Sequence, residues 1–288
     1  MGHMLFFGFG FCAKALAPLL RARGWRLSAT CRDDGKAAFL TAQDITPLRL
    51  TGAPLTAAQL DGFSHILLSA APDEDGDPAL PLLEQALAAL REKPQWMGYL
   101  STTGVYGDHK GAWVDEETPP GPLGARGQRR VEAEKAWGAL AEAQDLPMHY
   151  FRLAGIYGPG RNQLRSLKNG RARRIDKPGQ VFSRIHVDDI AQVLLASIDR
   201  PNPGRAYTVC DDEAAPPQDV VAFAAGLMHT TPPPLLPFDD VELSPMAKSF
   251  YGENKRLHNR RMVDELGVAL TYPTYREGLR ALYESGDF

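Results

Sequence analysis

The stretch that most constrains this chain is residues 4–17, M-L-F-F-G-F-G-F-C-A-K-A-L-A. A short apolar run, residues 4–7, has the length and composition of a buried strand. It breaks into Gly8-Phe9-Gly10-Phe11-Cys12-Ala13, after which Leu16, Leu19 and Leu20 fall on one helical face. Strand, glycine turn and helix with G-x-G-x-x-A spacing form the fingerprint of a dinucleotide-binding unit. Each position has a physical task. Gly8 permits the tight turn, Gly10 lets a pyrophosphate approach the backbone, and Ala13 keeps the helix close to the strand. Phe11 and Cys12 open the helix, whose first N–H groups face the phosphate charge.

The pattern then repeats. Residues 25–31 (W-R-L-S-A-T-C) read as a second strand, 36–42 as a helix, 45–50 as a third strand and 65–71 (H-I-L-L-S-A-A) as a fourth. Residues 78–93 carry an apolar stripe of Leu82, Leu83, Ala86, Leu87 and Leu90, and 96–100 form a fifth strand. Strands alternating with helices predict an α/β protein, a Rossmann doubly wound parallel sheet. At the carboxyl edge of strand four, Ser69, Ala70 and Ala71 are small enough to leave room beside a cofactor. The residue closing the second strand chooses between cofactors. An acid there bonds the ribose hydroxyls of NAD, whereas an arginine pairs with the 2′-phosphate of NADP. Arg32 comes first, which points to NADP over NAD; Asp33 stands at a distance that also suits a ribose acid.

Composition limits the partners. Lysine and arginine number 32 against 35 aspartates and glutamates, a net charge of −3, which gives no case for nucleic acid as a partner. Cys12, Cys31 and Cys210 lie far apart, without metal-ligand spacing and without the look of a disulfide framework. No apolar run reaches membrane-spanning length. The expectation is a cytoplasmic protein with no membrane partner and no metal.

Strand five runs into Ser101-Thr-Thr-Gly-Val-Tyr-Gly107. Together with R-L-A-G-I-Y-G-P at 152–159, I-H-V-D-D-I-A at 185–191, Asn254-Lys-Arg and the ending L-T-Y-P-T-Y-R-E-G-L, this resembles the extended or atypical short-chain dehydrogenase/reductases. The match is to the NAD(P)-dependent epimerase/dehydratase group, in a poorly characterised branch. The resemblance spans nearly the whole chain. It implies a Rossmann domain over 1–155, to which a strand at 205–212 returns. A smaller, interleaved C-terminal substrate-binding lobe over 156–288 completes it. It also implies a homodimer through the helices at 78–93 and 126–144, although the stripe Ala133, Trp137, Leu140 and Ala141 equally suits intramolecular core.

The resemblance assigns roles residue by residue. Thr102 would hydrogen-bond the substrate oxygen. A tyrosine acid/base and a lysine four residues on, which binds the ribose and lowers the tyrosine pKa, would normally follow. Aligned on Val131-Glu-Ala-Glu134, those two places hold Arg126 and Arg130. Arg130 still bonds ribose hydroxyls; Arg126 cannot exchange protons at neutral pH. Tyr106 or His109 would then stand in as the acid, with a packed aromatic as the alternative role for Tyr106. Arg126, Arg184 and His186 are substrate candidates, and the arginines suit an anionic, phosphate-bearing small molecule. His186 with Asp188 and Asp189 also matches a helix start capped by an aspartate. Two functions follow. One is an NAD(P)-dependent epimerase/dehydratase or oxidoreductase acting by hydride transfer on a sugar nucleotide or other anionic molecule. The other is a catalytically degenerate NADP(H) sensor or partner-binding protein.

Overall fold

The computed structural model describes residues 2–288. β1 (His3–Phe7) leads through the glycine turn into α1 (Phe11–Ala22), followed by β2 (Arg26–Cys31), α2 (Asp34–Thr41), β3 (Thr46–Arg49), α3 (Ala57–Leu60) and β4 (His65–Leu68). Next come α4 (Leu80–Ala89), β5 (Trp96–Thr102), the two-residue β6 (Trp113–Val114), α5 (Ala125–Gln144), β7 (Met148–Leu153) and β8 (Gly155–Tyr157). α6 (Gln163–Lys168), β9 (Arg174–Asp176), β10 (Arg184–His186), α7 (Val187–Asp199) and β11 (Ala206–Val209) follow. The chain ends with α8 (Pro217–Leu227), β12 (Leu235–Pro237), α9 (Pro245–Tyr251), β13 (Arg256–Leu257), α10 (Arg260–Leu266) and α11 (Tyr275–Ser285).

Seven strands form one parallel sheet in the order β11-β7-β5-β4-β1-β2-β3. β1 sits between β2 and β4, with Leu5 opposite Ser28 on one side and Ile66 on the other. The chain builds outward from β1 to β3, then returns to β4 on the other flank. That reversal is the topological switch point, where a doubly wound sheet opens a crevice at its carboxyl edge. The Rossmann expectation is met.

Alternate strand residues supply one core face, because side chains of a strand point to opposite sides with period two. Leu5, Phe7, Ile66, Leu68, Met97 and Tyr99 pack there against Leu83, Ala86 and Leu87 of α4 and Ala133, Trp137 and Leu140 of α5. Trp137 is fully buried. The α5 stripe is therefore intramolecular core, and the homodimer expectation loses the support of that stripe. The fourth strand is shorter than 65–71: pairing ends at Leu68, so Ala70 and Ala71 belong to the following loop.

The chain divides into two compact units. The first comprises 1–102, 125–152 and 191–207; the second comprises 103–124, 153–190 and 208–288. The units differ from a split near residue 155 by giving 103–124 to the second and 191–207 to the first. The second unit has regular structure of its own. It contains three two-stranded parallel pairs, β8 with β10, β9 with β12 and β6 with β13. Its core is built from Tyr157, Leu164, Val220, Ala224, Tyr275, Leu279 and Leu282.

Candidate functional site

In the first unit the glycine turn is held from both neighbouring strands. Gly8 takes φ +91°, a left-handed conformation that disfavours any side chain. Its N–H donates to Thr30 Oγ1 at 2.9 Å, and its carbonyl accepts from Ser69 Oγ at 2.7 Å. A Cβ on Gly8 would stand 3.1 Å from Ser69 Oγ, so the segment just after β4 closes that side of the turn. Gly10 is different: a Cβ there would meet nothing within 4 Å. The space above it is open, which is what a pyrophosphate needs. α1 starts immediately after Gly10 with no side-chain cap and no acidic residue in its first turn. No carboxylate in that turn competes with a phosphate for the positive end of the helix. Cys12 and Ala13 are buried against the sheet. The residues present fit the pyrophosphate of a dinucleotide.

At the end of β2, Arg32 is exposed and lines a concave pocket of about 320 Å³ with Leu50, Gly52, Pro78, Pro81 and Leu82. Asp33 is the N-cap of α2, its Oδ1 accepting from Lys36 N at 2.7 Å. A carboxylate used this way satisfies a helix amide instead of waiting for ribose hydroxyls. Lys36 Nζ reaches back to donate to Phe9 O at 3.2 Å. Ala70 is half-buried and Ala71 exposed in the loop after β4.

At the end of β5, Thr102 is the last strand residue and half-buried. Its neighbour Ser101 is buried and donates to Glu134 Oε1 at 2.5 Å. Glu134 also receives Arg152 at 2.9 Å, with both side chains about nine-tenths buried. Sheet and α5 are thus bolted together beside Thr102. One turn earlier on α5, Arg130 Nη1 donates to Tyr99 Oη at 3.2 Å and to Leu100 O, the carbonyl two residues before Thr102. Burial pushes the Tyr99 hydroxyl far up, so it stays a neutral acceptor for Arg130. Burial also raises Asp77, which accepts from Ala79 N and Leu80 N at the start of α4 and feels the Arg130 charge. Arg126, exposed, lies in the first turn of the helix, four residues before Arg130.

The second unit holds the other candidates. Tyr106 is buried, and its hydroxyl shares a 2.7 Å hydrogen bond with Thr208 Oγ1. In this arrangement the hydroxyl is enclosed and already bonded. His109 Nε2 lies 3.1 Å from Tyr106 O. Arg184 folds back on its own loop and donates through Nη1 to Phe182 O and Ala215 O. The helix start at Val187 is organised differently from the sequence expectation. His186 Nδ1 accepts from Asp188 N at 3.2 Å, so the histidine caps the turn. Asp189 instead accepts from Thr271 N and Tyr272 N at 2.7 and 3.1 Å. Burial lifts the Asp189 pKa to about 6, opposed by those two amides. His186 is buried between Tyr157 and Tyr272, which pushes its pKa below the usual value and keeps the ring neutral.

Sequence reading missed the bracing contacts of the site, including the one made by Ser69, which it reads only as a small residue beside the cofactor. Thr30 and Ser69 grip the turn, Lys36 crosses it, and Glu134 anchors the end of β5. Thr30 and Ser69 carry a signal, since hydroxyls at the carboxyl ends of the flanking strands are the donors and acceptors nearest the turn. Lys36 carries none. Among the described residues no group of three or more His, Cys, Asp or Glu is placed to hold a metal, and no helix is long and apolar enough to cross a membrane. Cys12, Cys31 and Cys210 are buried and form no disulfide.

A functionally unknown conserved protein from Silicibacter pomeroyi is 52% identical, with 100% of both chains covered and a TM-score of 0.91. UDP-glucuronic acid 4-epimerase from Bacillus cereus, solved with NAD, is 16% identical over 98% of this chain and 97% of its own, with a TM-score of 0.76. dTDP-glucose 4,6-dehydratase from Bacillus anthracis, also solved with NAD, is 16% identical over 99% and 96%, with a TM-score of 0.76. No curated protein matches the chain. The model of the NAD dependent epimerase/dehydratase family matches residues 8–210. The chain belongs to the NAD dependent epimerase/dehydratase family.

Proposed function

We propose that this protein is an NADP(H)-dependent oxidoreductase of the epimerase/dehydratase type, acting on a carbonyl or hydroxyl of an anionic small molecule. The observation that carries the nucleotide reading is the open turn over Gly10 ahead of an uncapped helix start. The lean to NADP rests on Arg32 closing β2 while Asp33 is committed to capping α2. When bound, the nicotinamide supplies or accepts the hydride.

The chain's own residues do the rest. Thr102 holds the substrate oxygen by its hydroxyl. Arg130, tied to Tyr99 and Leu100, keeps a fixed positive charge one helical turn from Arg126. Arg126 stabilises negative charge on the oxygen without passing it a proton, because a guanidinium stays protonated at neutral pH. In carbonyl reduction the proton therefore comes from water or from the substrate itself, and in hydroxyl oxidation it leaves to water. Arg126 also favours a substrate bearing a phosphate or carboxylate, which it can grip with paired N–H donors. Sugar nucleotides fall in this class.

Calorimetric titration with NADP⁺, NADPH, NAD⁺ and NADH comes first, repeated in Arg32→Ala. Tight NADP(H) binding that weakens in the variant supports the reading; no binding of any nucleotide refutes it. A panel of anionic carbonyl compounds with NADPH then tests chemistry, with Thr102→Ala as the control that must lose it. The second reading, an NADP(H) sensor, is favoured by two observations: an arginine stands at 126, and the Tyr106 hydroxyl is bound to Thr208. NADPH binding with no turnover of any panel member selects it.

A further inference from the structure

Lys36 is a residue the sequence singles out for nothing, yet it crosses the nucleotide turn. From the first turn of α2 its ammonium donates to Phe9 O, the carbonyl between the two turn glycines. It stands 5.6 Å from the centre of the Phe9 ring and 4.7 Å from that of Phe39, so two aromatic faces hold it. Lys14 of α1 approaches the same Phe39 ring at 5.2 Å. The turn and the end of β2 are one edge: Gly8 N bonds Thr30, two residues before Arg32. Arg32 and Lys36 therefore bracket the place where a chain of this topology reads the adenosine ribose.

The acids nearby are committed. Asp33 caps α2, and Asp34 pairs with Arg49 at 2.7 Å. Lys36 has three N–H donors and gives one to Phe9 O, which leaves two for a ligand. A lysine kept so close to a backbone carbonyl, with two aromatic faces beside its ammonium, is a preplaced cation rather than a solvated surface charge.

We propose that Lys36 is the second cation of a 2′-phosphate site, with Arg32 the first, so that the pair sets the preference for NADP(H). This rests on the nucleotide reading above and extends it to a residue outside both the fingerprint and the strand end. The phosphate dianion would take one edge from the guanidinium fork of Arg32 and the other from the two remaining N–H donors of Lys36.

The test is calorimetric binding of NADP⁺, NAD⁺, 2′-AMP and 5′-AMP to the full chain, its Lys36→Met and Lys36→Arg variants, and Arg32→Ala. Methionine keeps the length and the aromatic contacts without the charge, and a thermal melt checks that each variant folds. The expected result is a loss of about tenfold for NADP⁺ and 2′-AMP in Lys36→Met, one charge-assisted bond's worth, with NAD⁺ and 5′-AMP unchanged. Lys36→Arg should recover most of that loss. Equal weakening of both dinucleotides would make Lys36 a clamp of the turn and overturn the proposal, as would no weakening of either. Wild-type protein that prefers NAD⁺ refutes the NADP reading itself. Wild-type preference for NADP⁺ that survives Lys36→Met refutes only the role of Lys36.

Discussion

Replacing Glu134 with alanine should be among the most damaging single changes in the first unit. Its carboxylate accepts Arg152 through Nε and Nη2 and Ser101 through Oγ. The side chains of Arg152 and Glu134 are only 10% and 11% exposed, so water does not replace the lost partner. Breaking a buried pair while leaving its cation behind costs about 3–5 kcal/mol, and the orphaned Ser101 hydroxyl adds about 1 kcal/mol. A domain's whole margin is of order 5–15 kcal/mol, so the urea midpoint should fall by a third or more at unchanged slope. Because Ser101 precedes Thr102, nucleotide-dependent turnover should fall as well, even at temperatures where the variant stays folded. The double variant Glu134→Leu with Arg152→Met tests the physics. Removing both charges should cost less than Glu134→Ala alone, since an apolar pair of similar volume replaces a buried cation that has lost its carboxylate. A Glu134→Ala loss below about 1 kcal/mol would refute the reasoning, because the pair would then behave as an exposed ion pair.

Other consequences are equally concrete. Burial holds His65 and His149 at pKa values of about 4, and His149 is locked neutral, with Nδ1 at Met97 O and Nε2 accepting from Asn202 N. Both histidines bind a proton near pH 6.5 when unfolded but only near 4 when folded, so stability is full above 6.5 and declines as pH falls towards 4. His149 alone accounts for about 3 kcal/mol of that decline; unfolding midpoints across this range should show the slope, and a flat profile would contradict the burial argument. Tyr106→Phe should keep turnover while losing about 0.5–1.5 kcal/mol with the Thr208 bond; abolished activity in a folded variant would restore Tyr106 as the acid. Gly278→Ala should destabilise the second unit by about 1–3 kcal/mol or more, since its Cβ would overlap the Tyr157 hydroxyl and ring; a thermal melt reads it directly, and an unchanged midpoint would mean Tyr157 swings aside without cost.

What the sequence revealed and what it hid divide along a physical line. The sheet was legible because strand–helix periodicity is local and the glycine turn needs specific backbone angles, which Gly8 displays at φ +91°. The fifth strand was legible for the same reason, although it runs past the expected 96–100 to Thr102. Side-chain commitments were not, since they depend on what lies opposite. Asp33, Asp188 and Asp189 look alike in a sequence, yet Asp33 caps its helix and Asp189 binds two amides about eighty residues on. His186 rather than an aspartate caps α7, because the buried ring puts a neutral acceptor within reach of Asp188 N. Arg184 reads as a substrate ligand by type but spends donors on Phe182 and Ala215. The paired fragments of the second unit were invisible because their partners are separated in sequence: β6 meets β13 only after about half of the chain has intervened.

That last feature governs how the chain is made. Asn254 receives His109 N and Gly111 N on its carbonyl, gives its own N–H to Asp108, and sends its side chain to Gly179 O and Val181 N. Lys255 and Arg256 add bonds to the carbonyls of Gly107 and Gly111. On the ribosome, the segment following Thr102 therefore emerges with its partners still about 150 residues from synthesis, and the first unit likewise waits for 191–207, including Ser197, which accepts from the buried Trp96 indole. Such non-local closure slows folding and prolongs exposure of unpaired strands. Nascent chains stalled before residue 254 should be sensitive to protease between 103 and 124, and adding back a peptide spanning β13 should protect them.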